Sequence, residues 1–438
     1  MKFSAYVTKS IRAGNSIDIA EIEIGIRDAA LRDGSIALGK ILSGISDPKP
    51  SQTTCPLCSS EMENIGLRAK EIISLLGKGT LERAYFGCTK EDCNGHRLPK
   101  DELLDIEKTS FTPGIRRLIA KIGHDCAFQK GSEDIYEFTG ITINAKDIER
   151  VSESIGREIE IWDTKNHEDL LKMNPPSTLL KDIPMMYIEC DGTGVPVVSK
   201  EVAGRKGKQA DGTAKTRESK LGCVFTQTGV DKDGNPCRDK NSTTYFGAIE
   251  TCEDFGKRLS AESIKRGLWR ASTVIFIGDG AKWIWNIAND YFFGAVEIVD
   301  MYHAKEHLHN LIRLLFGEKE KHSDLSVRWI KLLEDGNIEG FIDEAKKFEQ
   351  KPDELQKQID RELNYFEENA KRMRYSSFRD KGFFVGSGVI EAGCKAVIGK
   401  RLKQSGMRWS VRGANSIIAL RCNIISKKFD EFWDSRSA

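Results

Sequence analysis

Two short apolar runs, Pro184-Met-Met-Tyr-Ile188 and Thr273-Val-Ile-Phe-Ile277, each lead into an aspartate, Asp191 and Asp279. Runs this continuous read as strands buried on both faces, as happens where helices cover both sides of a largely parallel sheet. An α/β core follows. Both aspartates then fall at C-terminal strand tips, the end of such a sheet where ligands gather. Residues 221–226 and 243–249 read as two antiparallel strands joined by the Asp231-Lys-Asp-Gly-Asn235 turn, and residues 295–299 as a fifth strand. Helical patterns start at Glu253, pass through Trp283 and Trp285, and start again at His303.

This order of strands and helices is that of an RNase H-like fold, placed over residues 184–316. A third acid, Glu391, lies in Gly386-Ser-Gly-Val-Ile-Glu-Ala-Gly-Cys-Lys395, a small-residue opening to a long amphipathic stretch. It is expected as a helix-borne partner of the two strand carboxylates. Three carboxylates about 4 Å apart would repel by roughly 4 kcal/mol per pair at an effective dielectric near 20, so such a cluster calls for cations. Hard divalent ions, Mg²⁺ or Mn²⁺, suit oxygen ligands of this kind.

The chain of 438 residues carries 67 Lys and Arg against 66 Asp and Glu, so affinity for nucleic acid must come from local charge. Between Ala392 and Phe429 there is no acidic residue, while Lys395, Lys400, Arg401, Lys403, Arg408, Arg412, Arg421, Lys427 and Lys428 fall there. That stretch is expected to face DNA, with Trp409 stacking on a base; a solvated helix packed through Val397, Ile398, Leu402 and Met407 is the alternative. The loop of residues 200–220 is a second basic segment, a solvated hairpin or a DNA contact. No apolar leader and no run of 18 apolar residues occurs, so a cytoplasmic, nucleoid-associated protein with no membrane partner is expected.

Cys55-Pro-Leu-Cys58 and Cys88-Thr-Lys-Glu-Asp-Cys93 flank a strand-like segment, residues 80–86, with zinc-ribbon spacing, and His96 is a substitute ligand. The other seven cysteines (126, 190, 223, 237, 252, 394 and 422) read as buried, reduced thiols. Seven segments are expected: a helical segment 1–50, a zinc-ribbon-like module 51–105, a helical domain 106–165, a linker 166–183, the core 184–316, a helical insertion 317–380, and 381–438 with Glu391 and a basic helix. The helical domain's turn at Thr139-Gly-Ile-Thr142 fits a helix-turn-helix, though any small helical bundle gives the same periodicity.

The set Asp191-Gly-Thr-Gly-Val-Pro196, Gly278-Asp-Gly-Ala-Lys-Trp-Ile-Trp285, Arg372-Met-Arg-Tyr375, Gly386-Ser-Gly-Val-Ile-Glu391 and Arg401-Leu-Lys-Gln-Ser-Gly-Met-Arg-Trp409 resembles the DDE transposases of ISKra4-type bacterial insertion sequences. The likeness covers nearly the whole chain. It implies an RNase H-like catalytic core in which Asp191, Asp279 and Glu391 hold two Mg²⁺ or Mn²⁺ ions, DNA cleavage with strand transfer, transposon ends and target DNA as partners, and a homodimer or higher oligomer on DNA. Asp300-Met-Tyr-His303 is similar to an element that Mutator-type transposases carry after the second catalytic aspartate, which makes His303 a further candidate, oriented by Asp300. A metal-dependent nuclease without strand transfer and a catalytically inactive DNA-binding regulator are the competing expectations.

Overall fold

The computed structural model describes residues 19–47, 53–172, 182–207, 209, 211–317, 324–348 and 352–436. These divide into two compact units, Met1–Ser152 and Glu153–Ala438. Among the described residues no helix is long and apolar enough to cross a membrane.

In the first unit, strands β1 (Met62–Ser74), β2 (Gly77–Cys88) and β3 (His96–Arg97) form an antiparallel sheet in that order. The hairpin is longer than residues 80–86 suggest, because β1 is mostly exposed and so lacks an apolar signature. Helix Ile19–Gly44 lies on β2, so close that a Cβ at Gly39 would sit 2.4 Å from the carbonyl oxygen of Thr80. Only glycine permits that approach. Ile72, Leu81 and Ile106 form one small core, closed by Leu42 and Leu104. Helices Pro113–Gly123 and Phe128–Thr139 follow, then a turn through Gly140 in the left-handed region (φ 71°) and helix Ala145–Lys172. Asn144 caps that last helix by accepting from the Asp147 amide at 2.8 Å. Phe138, three residues beyond the buried Ile135, is 75 % exposed.

The expected linker begins as helix: Ala145–Lys172 runs through its first residues, and residues 173–181 lie outside the described ones. The helix persists because Ile155 and Ile159 are buried and Trp162 packs edge-on against Phe432, 5.8 Å between centroids.

The second unit is mixed α/β. Its sheet contains β4 (Ile183–Pro196), β5 (Thr216–Gln227), β8 (Thr244–Ala248), β9 (Ala271–Gly278) and β10 (Val296–Val299); β6 (Gly229–Val230) and β7 (Pro236–Cys237) form a separate ribbon in the turn after β5. The order is β10-β9-β4-β5-β8, with β4, β9 and β10 parallel and β5 antiparallel to both of its neighbours. Met186, Tyr187, Ile188, Val224, Phe225, Ile275, Phe276 and Ile277 are fully buried, each side chain worth about 1.5–3 kcal/mol over exposure where it is large and apolar. Helix Cys252–Lys265 packs on β5 and β8, and helix Val411–Ile425 on β8. Between β10 and Glu391, where a helical insertion is expected, lie the helices Asp324–Glu334, Ile338–Ala345, Asp353–Asn369 and Tyr375–Asp380, with Trp329 buried.

Of the seven single cysteines expected to be buried, Cys190, Cys223 and Cys422 are buried, Cys126 and Cys394 are half-buried, and Cys237 and Cys252 are exposed. Cys237 lies in the exposed ribbon and Cys252 opens a helix at the surface, positions that local apolar neighbours do not reveal.

Candidate active site and metal centre

Asp191 does not end its strand. The parallel pairing of β4 with β9 stops at Glu189 opposite Ile277, but β4 continues to Pro196 as an antiparallel arm against β5. Asp191 thus stands just past the end of the parallel ladder. Its Oδ1 accepts from the Gly192 amide at 2.7 Å and its Oδ2 from the Cys394 thiol at 3.4 Å. Burial, and next to it the charge of Asp279, push the Asp191 carboxyl up, while Cys394, Gly192 and His303 pull it down.

Asp279 directly follows β9. Its Oδ1 accepts from the Ala281 amide at 2.8 Å, and Gly280 bends the chain at φ 102°. The Tyr365 hydroxyl, from the insertion, donates to the Asp279 carbonyl at 2.9 Å, and a Cβ at Gly280 would lie 2.5 Å from the Tyr365 ring. Burial, with Asp279 and Asp300 nearby, pushes the Tyr365 hydroxyl up. The insertion therefore helps to shape the turn that carries Asp279. Arg372 makes a second link, bonding Glu297 at 2.5 Å and lying 4.5 Å from the ring centroid of Trp285. Trp285 is core, whereas Trp283 packs on Phe255 and under Lys220.

Glu391 rides on helix Gly388–Gly393, which packs on β4 and β5. Its side chain is 48 % exposed and 3.8 Å from Lys395. The three carboxylates do not all come within 4.8 Å of one another; among the described residues only the four paired cysteines form such a group. His303 is 39 % exposed, 3.6 Å from Glu306 and 5.1 Å from the His307 ring. Asp300 does not orient the imidazole as expected: one oxygen caps the helix by accepting from the His303 amide at 2.6 Å, and the other accepts from the Ser387 amide.

Sequence reasoning missed Glu189. It is fully buried, on the same face of the strand as Asp191, and its Oε2 accepts from the Ile390 amide at 2.8 Å. Burial pushes its carboxyl up to about 8. An acid inside the apolar run 184–190 was the available signal.

The basic stretch separates into two populations. Lys395, Lys400, Lys403, Arg408 and Arg412 are exposed, and the Lys403 ammonium reaches the Thr193 hydroxyl, two residues beyond Asp191. Arg401 and Trp409 are interior instead: Arg401 is fully buried, 5.2 Å from the Trp409 ring centroid, and the Trp409 indole donates to the Leu402 carbonyl at 3.1 Å. The cause is local. Residues Cys394–Gly399 form a π-helical turn and helix ends at Leu402, so the expected single helix is wound differently and then broken before Val411. Trp409 pairs through its backbone with Pro196 and Val198.

In the first unit, Cys55, Cys58, Cys88 and Cys93 are free thiols whose sulfurs lie within 4.8 Å of one another. The Cys55–Cys93 and Cys58–Cys88 separations are 3.6 and 3.5 Å. Tetrahedral Zn²⁺ with Zn–S near 2.3 Å needs S···S of about 3.8 Å, so the donor set fits. The Leu57 and Lys90 amides each donate to a sulfur at 3.4 Å, and a Cβ at Gly95 would fall 2.3 Å from the Cys55 sulfur. Ser60, through its hydroxyl and its amide, holds the Cys58 thiol down to about 6. The four cysteines can bind a structural metal ion. His96 stacks on Tyr85 at 5.6 Å and stands outside that group.

No curated protein matches the chain. Among solved structures, the Drosophila P element transposase strand transfer complex is similar at 8 % identity and a TM-score of 0.25, over 77 % of this chain and 84 % of that one. Residues 66–428 match the model of a family described as "Uncharacterised protein family (UPF0236)", and the chain belongs to that family.

Proposed function

We propose that this protein is a DDE transposase of the ISKra4 type, cutting DNA and joining the cut end to a target from an RNase H-like core. One observation carries the reading. Asp191 and Asp279 leave adjacent parallel strands at the same end of a five-stranded sheet of this order, close enough for the charge of Asp279 to act on the Asp191 carboxyl, and the Glu391 helix is tied to Asp191 through Cys394.

A cluster of oxygen donors with mutual repulsion fits hard divalent cations, and Asp191, Asp279 and Glu391 would hold Mg²⁺ or Mn²⁺. Such ions, held by these carboxylates, would supply Lewis-acid activation of the attacking oxygen and charge neutralisation at the leaving one. The chain's own side chains do the rest: Lys403, beside Thr193, and the exposed Lys395 and Lys400 hold phosphates near the scissile bond, and His303 tempers the charge at Asp191. The cysteine module and the helices of residues 106–165 serve recognition of the element ends, and the assembly on DNA is a dimer or larger.

The test offers the purified protein a pre-cleaved end bearing a 3′-OH together with target DNA. A joined product supports the transposase. Cleavage of an intact end with no joined product indicates a nuclease, and DNA binding with neither indicates a regulator.

A further inference from the structure

We infer that Glu189 and Asp300 are positioning residues that clamp the start of the Glu391 helix through its backbone; this rests on the catalytic reading of Glu391. The two acids come from different strands, Glu189 within β4 and Asp300 immediately after β10. They reach the same helical turn. Asp300 Oδ2 accepts from the Ser387 amide and Glu189 Oε2 from the Ile390 amide, the residue next to Glu391.

The first amides of a helix have no partner within it, and the carboxyl oxygens of Asp300 and Glu189 supply acceptors for two amides at this end. Burial argues that these are more than ordinary caps. Glu189 and Asp300 are 0 % and 1 % exposed, and Glu189 Oε1 has no hydrogen-bond partner in this structure. Placing two acids in an interior is costly unless each is well bonded, and packing alone would be served better by apolar side chains. What the acids supply is direction. Asp300 also caps the helix that bears His303, so one carboxylate fixes two segments of the candidate site. With Cys394 bonded to Asp191, the segment 387–394 is fixed at three points. A displacement near 1 Å of a catalytic group can cost about a hundredfold in rate.

The experiment uses the full chain with Glu189→Ala, Glu189→Gln, Asp300→Ala and Asp300→Asn. Three readouts are taken: amide hydrogen exchange across residues 384–394, DNA affinity, and Mn²⁺-dependent single-turnover cleavage. The Ala variants should speed exchange in that segment at least tenfold and slow cleavage about a hundredfold, with DNA affinity within about twofold of wild type. Gln and Asn, which keep an acceptor oxygen, should restore most of both. Should Glu189→Ala not fold, Glu189→Met removes the acceptor at similar volume. Rapid exchange at Ile390 in the wild type, or unchanged exchange in both Ala variants, overturns the clamp, as does faster exchange with unchanged cleavage. If the exchange pattern holds and the wild type cuts no DNA, the clamp stands and the transposase reading fails.

Discussion

Cys394 and Asp191, 203 residues apart in sequence, are joined by a hydrogen bond from thiol to carboxylate at 3.4 Å. The contact docks the C-terminal helical segment on β4 at the point where the parallel ladder ends. Losing a hydrogen bond to a charged group costs about 1.5–3 kcal/mol. Cys394→Ala is therefore expected to lower the single-turnover cleavage rate about ten- to a hundredfold, and Cys394→Ser, which keeps a donor, to lower it less. Rates measured side by side on one DNA end check this.

The cysteine module should carry one Zn²⁺ per chain. In modules of this size metal binding supplies the folding free energy, so Cys55→Ala or Cys88→Ala should lose the zinc and raise proteolysis within residues 53–97. Elemental analysis of the reduced full-length protein, followed by limited digestion, gives the answer. A metal-free wild type that resists protease would refute the prediction.

Burial divides the basic stretch into exposed and interior side chains. Replacing Lys395, Lys400 and Lys403 together by Gln should flatten the slope of log affinity against log salt by about 2–3 units, with sequence preference unchanged. Arg401→Gln should leave the slope alone and lower stability, and Trp409→Ala should cost about 3–5 kcal/mol as a core truncation. Salt titrations and denaturant melts on the same variants separate the two effects.

The second unit should lose stability in acid through Glu262. Burial by itself would push this carboxyl up, but His167 and Lys428, the latter at 2.7 Å, hold it down to about 2. A folded value below the ordinary 4.5 means that the stabilisation is complete above that pH and disappears as pH falls from 4.5 towards 2. Glu262→Gln breaks a buried pair and should cost about 3–5 kcal/mol at pH 7, with the gap to wild type narrowing through that window. Melting temperatures at several pH values measure it.

Strands in the core were legible because parallel strands buried on both faces write themselves as unbroken apolar runs, and β9 and β10 lie within two residues of where those runs place them. Paired cysteines were legible for a similar reason, since ligand spacing is local. What was not legible is geometry between distant segments. The burial of Arg401 and Trp409 depends on a π-helical turn that no residue pattern announces, and the role of Tyr365 depends on an insertion helix arriving at Gly280. Asp300 could be singled out in sequence, but its bond to Ser387 could not. Glu189 is marked in the sequence only by its place inside an apolar run, and its bond to the Ile390 amide, 201 residues away, is not legible there.

The central claim is that Asp191, Asp279 and Glu391 act as one site, and metal-dependent cleavage by carboxylate variants tests it most directly. Residues that work as a unit are non-additive. Asp191→Asn, Asp279→Asn and Glu391→Gln should each abolish Mg²⁺- or Mn²⁺-dependent cleavage about as completely as the triple variant, while all four proteins bind DNA like the wild type. Undiminished cleavage in any one of the single variants would contradict the account and remove that residue from the site.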